Sequence, residues 1–337
     1  MHQNFNRREF IKTAAVASVG IGLNLNSGLV LGKEKGKRVG IIGLDTSHSV
    51  AFTKELNNPN AQDKYGGYKI VAAYPKGSEK IESSTKRIPG YIEEVKKHGV
   101  KISGSIKDLL KEVDVVLLET NDGHPRLEQA MEVLKAGKPM FIDKPVAASL
   151  RDVMTIYEEA KKRKVPLFSS SSLRYMPSAQ EAAQGKEGKI LGADTYGPAS
   201  LEPSHPDLFW YGIHGVETLF TIMGKGCQSV TRTQTENTEL VVGVWEDGRI
   251  GTFRGTRNGK ADYGGTAYAE KGNITLGQFG GYNPLLEQII KFFETGQTPV
   301  DPEDTLEIYA FMEASDESKR QGGKSITLAS VMEKAKV

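Results

Sequence analysis

Residues 37–49 read KRVGIIGLDTSHS, and this stretch decides the fold. The apolar run 38–42 reads as a buried first strand, and Gly43 opens a tight turn into a helix. A turn that cradles a dinucleotide continues G-x-G-x-x-G. Its second glycine lets the backbone approach the pyrophosphate, and its third lets helix pack on strand. Asp45 and His48 stand at those two places. The stretch therefore predicts a Rossmann-type strand, turn and helix, but weakens the usual reason for a dinucleotide to bind there.

Outward from this turn, strand and helix signals alternate. A helix is predicted over 48–57 and an apolar strand over 68–74. A polar insertion follows, with a helix over 90–97. Residues 102–103 form a short strand, and Ser105 caps the next helix. Residues 113–120 read as an apolar strand suited to a buried parallel sheet. An amphipathic helix over 127–136 ends at Gly137, and a strand over 139–143 follows. A helix over 150–163 and a strand over 166–170 complete a doubly wound α/β sheet.

Beyond about residue 190 the pattern becomes short alternating strands, at 190–196, 229–234, 239–245, 249–255, 265–269 and 273–276. Asp247-Gly248 and Lys271-Gly272 mark hairpin turns. This predicts one mainly antiparallel sheet, partly covered by helices at 209–223, 285–295 and 302–321. The expected domains are a signal segment over 1–31, a Rossmann-like dinucleotide-binding domain over 36–170, and an α/β substrate and oligomerisation domain over 171–328.

The chain has 337 residues and a net charge of +2, with no basic block, which argues against a nucleic-acid partner. Its one cysteine, Cys227, permits no intrachain disulfide and reads as a small core residue. Residues 6–12, NRREFIK, resemble a twin-arginine export signal. The following stretch to about residue 31 is too polar and interrupted for a stable membrane span. A cleaved signal is the preferred reading over a retained anchor, which places the mature chain in the periplasm or outside the cell. With no free nicotinamide pool there, a redox enzyme has to keep its cofactor tightly held.

Five further motifs carry a resemblance that spans nearly the whole mature chain. They are Glu119-Thr120-Asn121-Asp122-Gly123-His124, Ala136-Gly137-Lys138-Pro139 with Asp143-Lys144-Pro145, Arg174-Tyr175-Met176-Pro177, 188–192 (GKILG), and Gly212-Ile213-His214 through Glu217. They resemble the glucose-fructose oxidoreductase and inositol dehydrogenase family (Gfo/Idh/MocA). The resemblance implies NAD or NADP, with a pyranose, inositol or similar polyol lying between the domains over the nicotinamide. It implies Lys144 and His214 as the residues that handle the alcohol proton. Such a lysine serves near neutral pH only when burial or a neighbouring cation lowers its pKa. Gly43, Asp45, Thr46, His48, Thr120, Asn121, His124 and Lys144 then fall along the cofactor. Arg174 and Tyr175 fall beside the substrate. A homo-oligomer paired through the C-terminal sheet is also implied.

The chain departs from the family in three places. Where members often carry an aspartate four residues before the histidine, this chain has Trp210. Asp207, two helical turns before His214, either compensates or merely begins the helix. Trp210 and Tyr211 either form a stacking platform for a sugar ring or pack the core. No acid ends the second strand. Lys76 and Ser78 stand there instead, which favours NADP over NAD unless Lys76 is an ordinary surface lysine. Asp45 either caps the following helix or faces the pyrophosphate. In the second case, at an effective dielectric near 20, two like charges ~5 Å apart cost roughly 3 kcal/mol.

Three functions follow as expectations. The first is an oxidoreductase on a sugar, glycoside or polyol. The second is a redox-neutral or non-redox carbohydrate enzyme: a lyase, epimerase or hydrolase. A metal-assisted variant of it would draw on Asp45, His48, Glu119, Asp122 and His124 for Mn or Zn, although no metal is the preferred reading. The third is a sugar-binding protein that kept only the fold.

Overall fold

The computed structural model describes residues 37–260 and 262–336; the export-signal expectation lies outside the described residues. The first half lays down β1 (Arg38–Ile42), α1 (Ser47–Leu56), β2 (Lys69–Tyr74), α2 (Glu82–Lys97), β3 (Lys101–Ile102), α3 (Ile106–Glu112) and β4 (Val115–Leu118). It continues with α4 (Arg126–Lys135), β5 (Met140–Ile142), α5 (Leu150–Arg163) and β6 (Leu167–Ser169). The six strands form one parallel sheet in the order β3-β2-β1-β4-β5-β6. Both faces are buried, which is why β1, β4 and β5 read as apolar runs rather than alternating ones. The order reverses between β1 and β4, and the crevice at their carboxyl ends is where such sheets bind ligands.

Local chemistry sets the boundaries. Ser105 and Ser149 cap α3 and α5 by accepting the N–H of Asp108 and Asp152. Gly43 has φ +90°, and a Cβ there would lie 2.5 Å from the Thr120 nitrogen, so the turn after β1 needs glycine. α2 begins eight residues earlier than expected and runs through Pro89. Proline forfeits one helical hydrogen bond, but Ser84 and Val95 on either side of it are buried and hold the helix in place.

The second half contains α6 (Pro177–Ala183), β7 (Ile190–Pro198), α7 (Ile213–Met223), β8 (Cys227–Gln234), β9 (Thr238–Trp245), β10 (Ile250–Thr256), β11 (Gly264–Ala269) and β12 (Gly272–Leu276). It ends with α8 (Asn283–Thr295), α9 (Pro302–Arg320), β13 (Ile326–Thr327) and α10 (Leu328–Ala335). The sheet order is β12-β11-β7-β10-β9-β8-β13. It is antiparallel except at β7–β10, which pair in parallel because α7, β8 and β9 lie between them as a crossover. Cys227 is buried in it.

Two expectations for the helices change. The predicted helix over 209–223 divides into a wide π-type turn at Leu208–Gly212 and then α7. α8 packs on the first sheet and not on the second: Leu285, Leu286, Ile289 and Phe292 join Val39, Ile41, Leu117 and Phe168 in one core. α7 and α9 cover the inner face of the second sheet, where Phe220 meets Trp245 and Phe311. Among the described residues, no helix is long and apolar enough to cross a membrane.

Candidate active site at the crevice between β1 and β4

The site grows from two strand ends and two helices. Asp143 and Lys144 follow β5, Glu119 follows β4, α1 brings His48, and α7 brings His214. Lys144, His214, His48 and Asp143 line one cavity of about 170 Å³ with Tyr211 and Arg87.

Lys144 lies 5.2 Å from the Tyr211 ring centre. Burial pulls its ammonium below the usual range, Asp143 opposes that, and Arg126 adds to it. His214 sits on the buried face of α7. Its Nδ1 pairs with the Ser171 hydroxyl at 2.7 Å, so Nε2 is the ring nitrogen left for a ligand. Burial, followed by the Lys144 charge, pushes the imidazole well below its ordinary pKa and keeps it neutral. Glu217, one turn further along α7, accepts from Ser170 Oγ, Ser171 N–H and Arg174 Nε, each at 2.8 Å. That clamp holds the 170–174 segment against α7 and so positions Ser171 on His214.

On the opposite wall, His48 Nδ1 lies 2.9 Å from Asp143 Oδ2 and 3.9 Å from Glu119 Oε2. Its ring stacks on Phe52 and meets Tyr282 edge-on. Thr46 Oγ1 donates to Glu119 Oε2 at 3.3 Å. Burial and then Asp143 push Glu119 well above the carboxylate range. Burial works against Asp143 too, but His48, with help from Lys144 and Arg126, holds it below that range. Arg126, fully buried beneath, donates to the carbonyls of Thr120 and Asp143.

A larger cavity, about 560 Å³, lies at the end of β2 and is lined by Tyr74, Lys76, Ser78, Lys80, His124 and Gln129. Asp45 stands at the crevice near both cavities. Its carboxylate accepts the Ser78 N–H at 3.1 Å and the Asn121 N–H at 3.0 Å. Ser78 Oγ then donates to Asp122 at 2.8 Å, and Asn121 Nδ2 to Ser84 at 3.2 Å. A Cβ at Gly77 would collide with the Asp45 carboxylate. Burial pushes Asp45 up, and its two N–H donors pull it back.

Several expectations are corrected here. Asp45 does not cap α1: Thr46 is the N-cap residue, without a side-chain hydrogen bond. Asp207 pairs with Arg232 at 2.8 Å and Lys319 at 2.7 Å, away from the cavity, because Arg232 on β8 is buried and needs carboxylates. Trp210 is a packing residue against His205, buried among its neighbours, while Tyr211 reaches the cavity. Arg174 is held by Glu217, and Tyr175 keeps its hydroxyl buried; neither lines the cavity, and Ser172 and Leu173 do. His124 belongs to the larger cavity, hydrogen-bonded to Asp122 at 2.8 Å.

The sequence reading missed Ser171, Tyr263 and Tyr282, which surround His214 and His48, and Arg87, which it left in a polar insertion. It also missed His205, whose Nε2 accepts the Gly123 N–H at 3.0 Å and ties the second half of the chain to the end of β4. No local signal marks these residues, because each reaches the site from a distant loop or helix.

A parallel sheet in this order with a crevice at its switch point defines a Rossmann-type fold, here followed by a second sheet. Residues 37–171 match the model described as "Oxidoreductase family, NAD-binding Rossmann fold", that of the Gfo/Idh/MocA proteins. No curated protein matches the chain. Among solved structures it is similar to a probable dehydrogenase from Thermotoga maritima, at 20% identity and a TM-score of 0.71, covering 87% of this chain and 99% of that one. It is similar also to scyllo-inositol dehydrogenase from Lactobacillus casei with bound NAD(H) and scyllo-inositol, at 17% identity and a TM-score of 0.69, covering 88% and 100%. A third likeness is to GenD2 from gentamicin A biosynthesis in complex with NAD, at 15% identity and a TM-score of 0.69, covering 92% and 99%. These likenesses extend the shared fold over the second sheet.

The crevice carries donors suited to a dinucleotide. α1 begins without a side-chain cap, Lys76 and Lys80 line the larger cavity, and Thr120 Oγ1 is buried with no hydrogen-bond partner. Asp45 occupies two further donors, the N–H groups of Ser78 and Asn121.

Proposed function

We propose that this chain is an oxidoreductase of a sugar, glycoside or polyol, with NAD or NADP tightly held in the β1–β4 crevice. The observation that supports it is the convergence of Lys144 and His214, a depressed lysine and a neutral histidine, on one cavity beside that crevice. Lys144 as a neutral amine takes the proton of a substrate hydroxyl. His214 Nε2 binds the same or the neighbouring oxygen, and Ser171 fixes its tautomer. Tyr211 closes the cavity over Lys144 and lies against a sugar ring. Gly43, Thr46, Thr120 and Asn121 hold the dinucleotide along the crevice, with Lys76 at its far end. When bound, the nicotinamide supplies hydride transfer. The Asp45 carboxylate competes with the pyrophosphate for the N–H groups of Ser78 and Asn121, so the tight hold comes from the rest of the crevice.

The test is to denature the purified protein and identify any released nucleotide by absorbance and mass. An equimolar NAD or NADP is expected. An empty protein that still turns over a glycoside overturns the reading. That outcome would favour the redox-neutral reading, which the Asp45 contacts across the crevice support: the same Lys144 and His214 would then move protons on a keto-sugar or glycoside.

A homo-oligomer belongs to the same proposal. The outer face of the second sheet leaves Tyr196, Leu240, Val244, Ile250 and Tyr268 exposed, interleaved with Asp194, Thr252 and Arg254, and no helix among the described residues covers them. Light scattering during gel filtration should give a dimer or larger, and an Ile250→Asp, Leu240→Asp double variant should run smaller. A monomeric wild-type chain removes this part of the proposal.

A further inference from the structure

Three buried groups, two in the wall of the active cavity and one beneath it, converge in a way that acid–base chemistry on an alcohol does not use. His48 Nδ1, a Glu119 carboxylate oxygen and an Asp143 carboxylate oxygen all lie within 4.8 Å of one another, and all three residues are buried. They arrive from three separate elements: the first turn of α1, the end of β4 and the end of β5. His48 Nδ1 faces both acids, at 2.9 Å from Asp143 and 3.9 Å from Glu119.

A second, independent observation points to a missing ligand. Glu119 Oε1 is buried and has no hydrogen-bond partner, and Glu119 is 0% exposed. A carboxyl oxygen buried without a partner gives up its hydration with nothing in return. The nearest permanent cation does not relieve it. Arg126 directs its N–H groups to the main-chain carbonyls of Thr120 and Asp143, so Glu119 Oε1 stays without a donor.

We infer that His48, Glu119 and Asp143 form a site for a divalent cation at the floor of the Lys144–His214 cavity. One imidazole and two carboxylates suit Mn²⁺ or Zn²⁺ better than the all-oxygen sets that Mg²⁺ and Ca²⁺ prefer. The ligands come from one side, the walls of β4, β5 and α1. His48 and Asp143 also line the cavity, so the remaining positions open towards substrate. A cation there binds adjacent hydroxyl or carbonyl oxygens of a carbohydrate and orients them towards Lys144 and His214. It also gives His48 a reason to stand where the fingerprint has its third glycine. The other histidine–carboxylate cluster, Asp122, His124 and His205, does not make the same case. Asp122 already accepts from Ser78, the His124 N–H and the His124 ring, and His205 Nε2 accepts from Gly123.

The site does not depend on whether a dinucleotide is bound, so its test reads metal and not turnover. The purified full chain is stripped with a chelator, loaded separately with Mn²⁺, Zn²⁺ or Co²⁺, freed of unbound ion by gel filtration, and assayed for metal content. About one ion per chain is expected. Glu119→Gln, Asp143→Asn and His48→Gln should each weaken retention about tenfold or more, while His124→Ala should leave it unchanged. The Mn²⁺ form of the unaltered protein should show a nitrogen coupling in pulsed electron paramagnetic resonance, which decides the matter even if a variant fails to fold. No retained ion, retention unaffected by all three ligand variants, loss on His124→Ala, or bound Mn²⁺ without nitrogen coupling overturns the inference.

Discussion

Asp45 shows how much one side chain's direction matters. At the second glycine of the fingerprint a carboxylate has three directions open to it: capping α1, facing the pyrophosphate, or crossing to another loop. It takes the third, onto the N–H groups of Ser78 and Asn121. Replacing it frees two donors and removes a buried negative charge from the crevice. Asp45→Gly should therefore tighten NAD or NADP binding by about two decades, the equivalent of roughly 3 kcal/mol. Calorimetric titration of the nucleotide-free protein reads this directly, and unchanged or weaker binding would show that the carboxylate is not what limits the cofactor. The position of Asp45 was legible from the spacing after Gly43. Its partners were not, because they lie 33 and 76 residues away in sequence. The same holds for Asp207 and Arg174: each sits in a recognisable motif, but buried Arg232 claims one and buried Glu217 the other.

The elements themselves were legible wherever local chemistry decides them. Apolar strands, serine caps and Gly137 all lie within a few residues of the signals that predict them. Gly43 is the strongest such case, since its φ of +90° and the Thr120 main chain leave no room for a Cβ. Gly43→Ala should lower stability by about 1–3 kcal/mol and shift β1 against β4; a thermal melt checks it, and a melting temperature equal to the wild type would contradict it. Long-range packing was less legible. α8 is amphipathic wherever it docks, and its periodicity says only that one face is buried. Its apolar face meets Phe168 and Val39 of the first sheet, so the chain returns to its amino-terminal half after building the second sheet. In the same way α2 was cut short at Pro89, because the local rule against helical proline is outweighed by the burial of Ser84 and Val95.

At the scale of the whole molecule, the two halves are tied together at His205, which accepts a hydrogen bond from Gly123 and packs on Trp210. Burial first, with His124 adding to it, lowers its pKa from 6.5 to about 4. A histidine depressed on folding takes up its proton more readily when unfolded. Its contribution to stability is therefore complete above pH 6.5 and is lost as the pH falls towards 4. Asp316, pushed up to about 7 by burial, titrates in the opposite sense, so the informative quantity is a difference. The melting temperature of the wild type should fall more steeply between pH 6.5 and 4 than that of His205→Gln; parallel curves would show that this tie is indifferent to protonation. The sequence by itself determined the alternating elements, the parallel first sheet, the glycine turn and the short motifs that contain Lys144 and His214, because each is written in neighbouring residues. Only the tertiary structure decided that His48, Glu119 and Asp143 converge, that Asp45 turns across the crevice, and that Asp207, Trp210, Arg174 and Tyr175 serve packing and ion pairs instead of the cavity. Those outcomes depend on which buried charges meet across the strand ends, and that is set by the folded geometry of segments far apart in the chain.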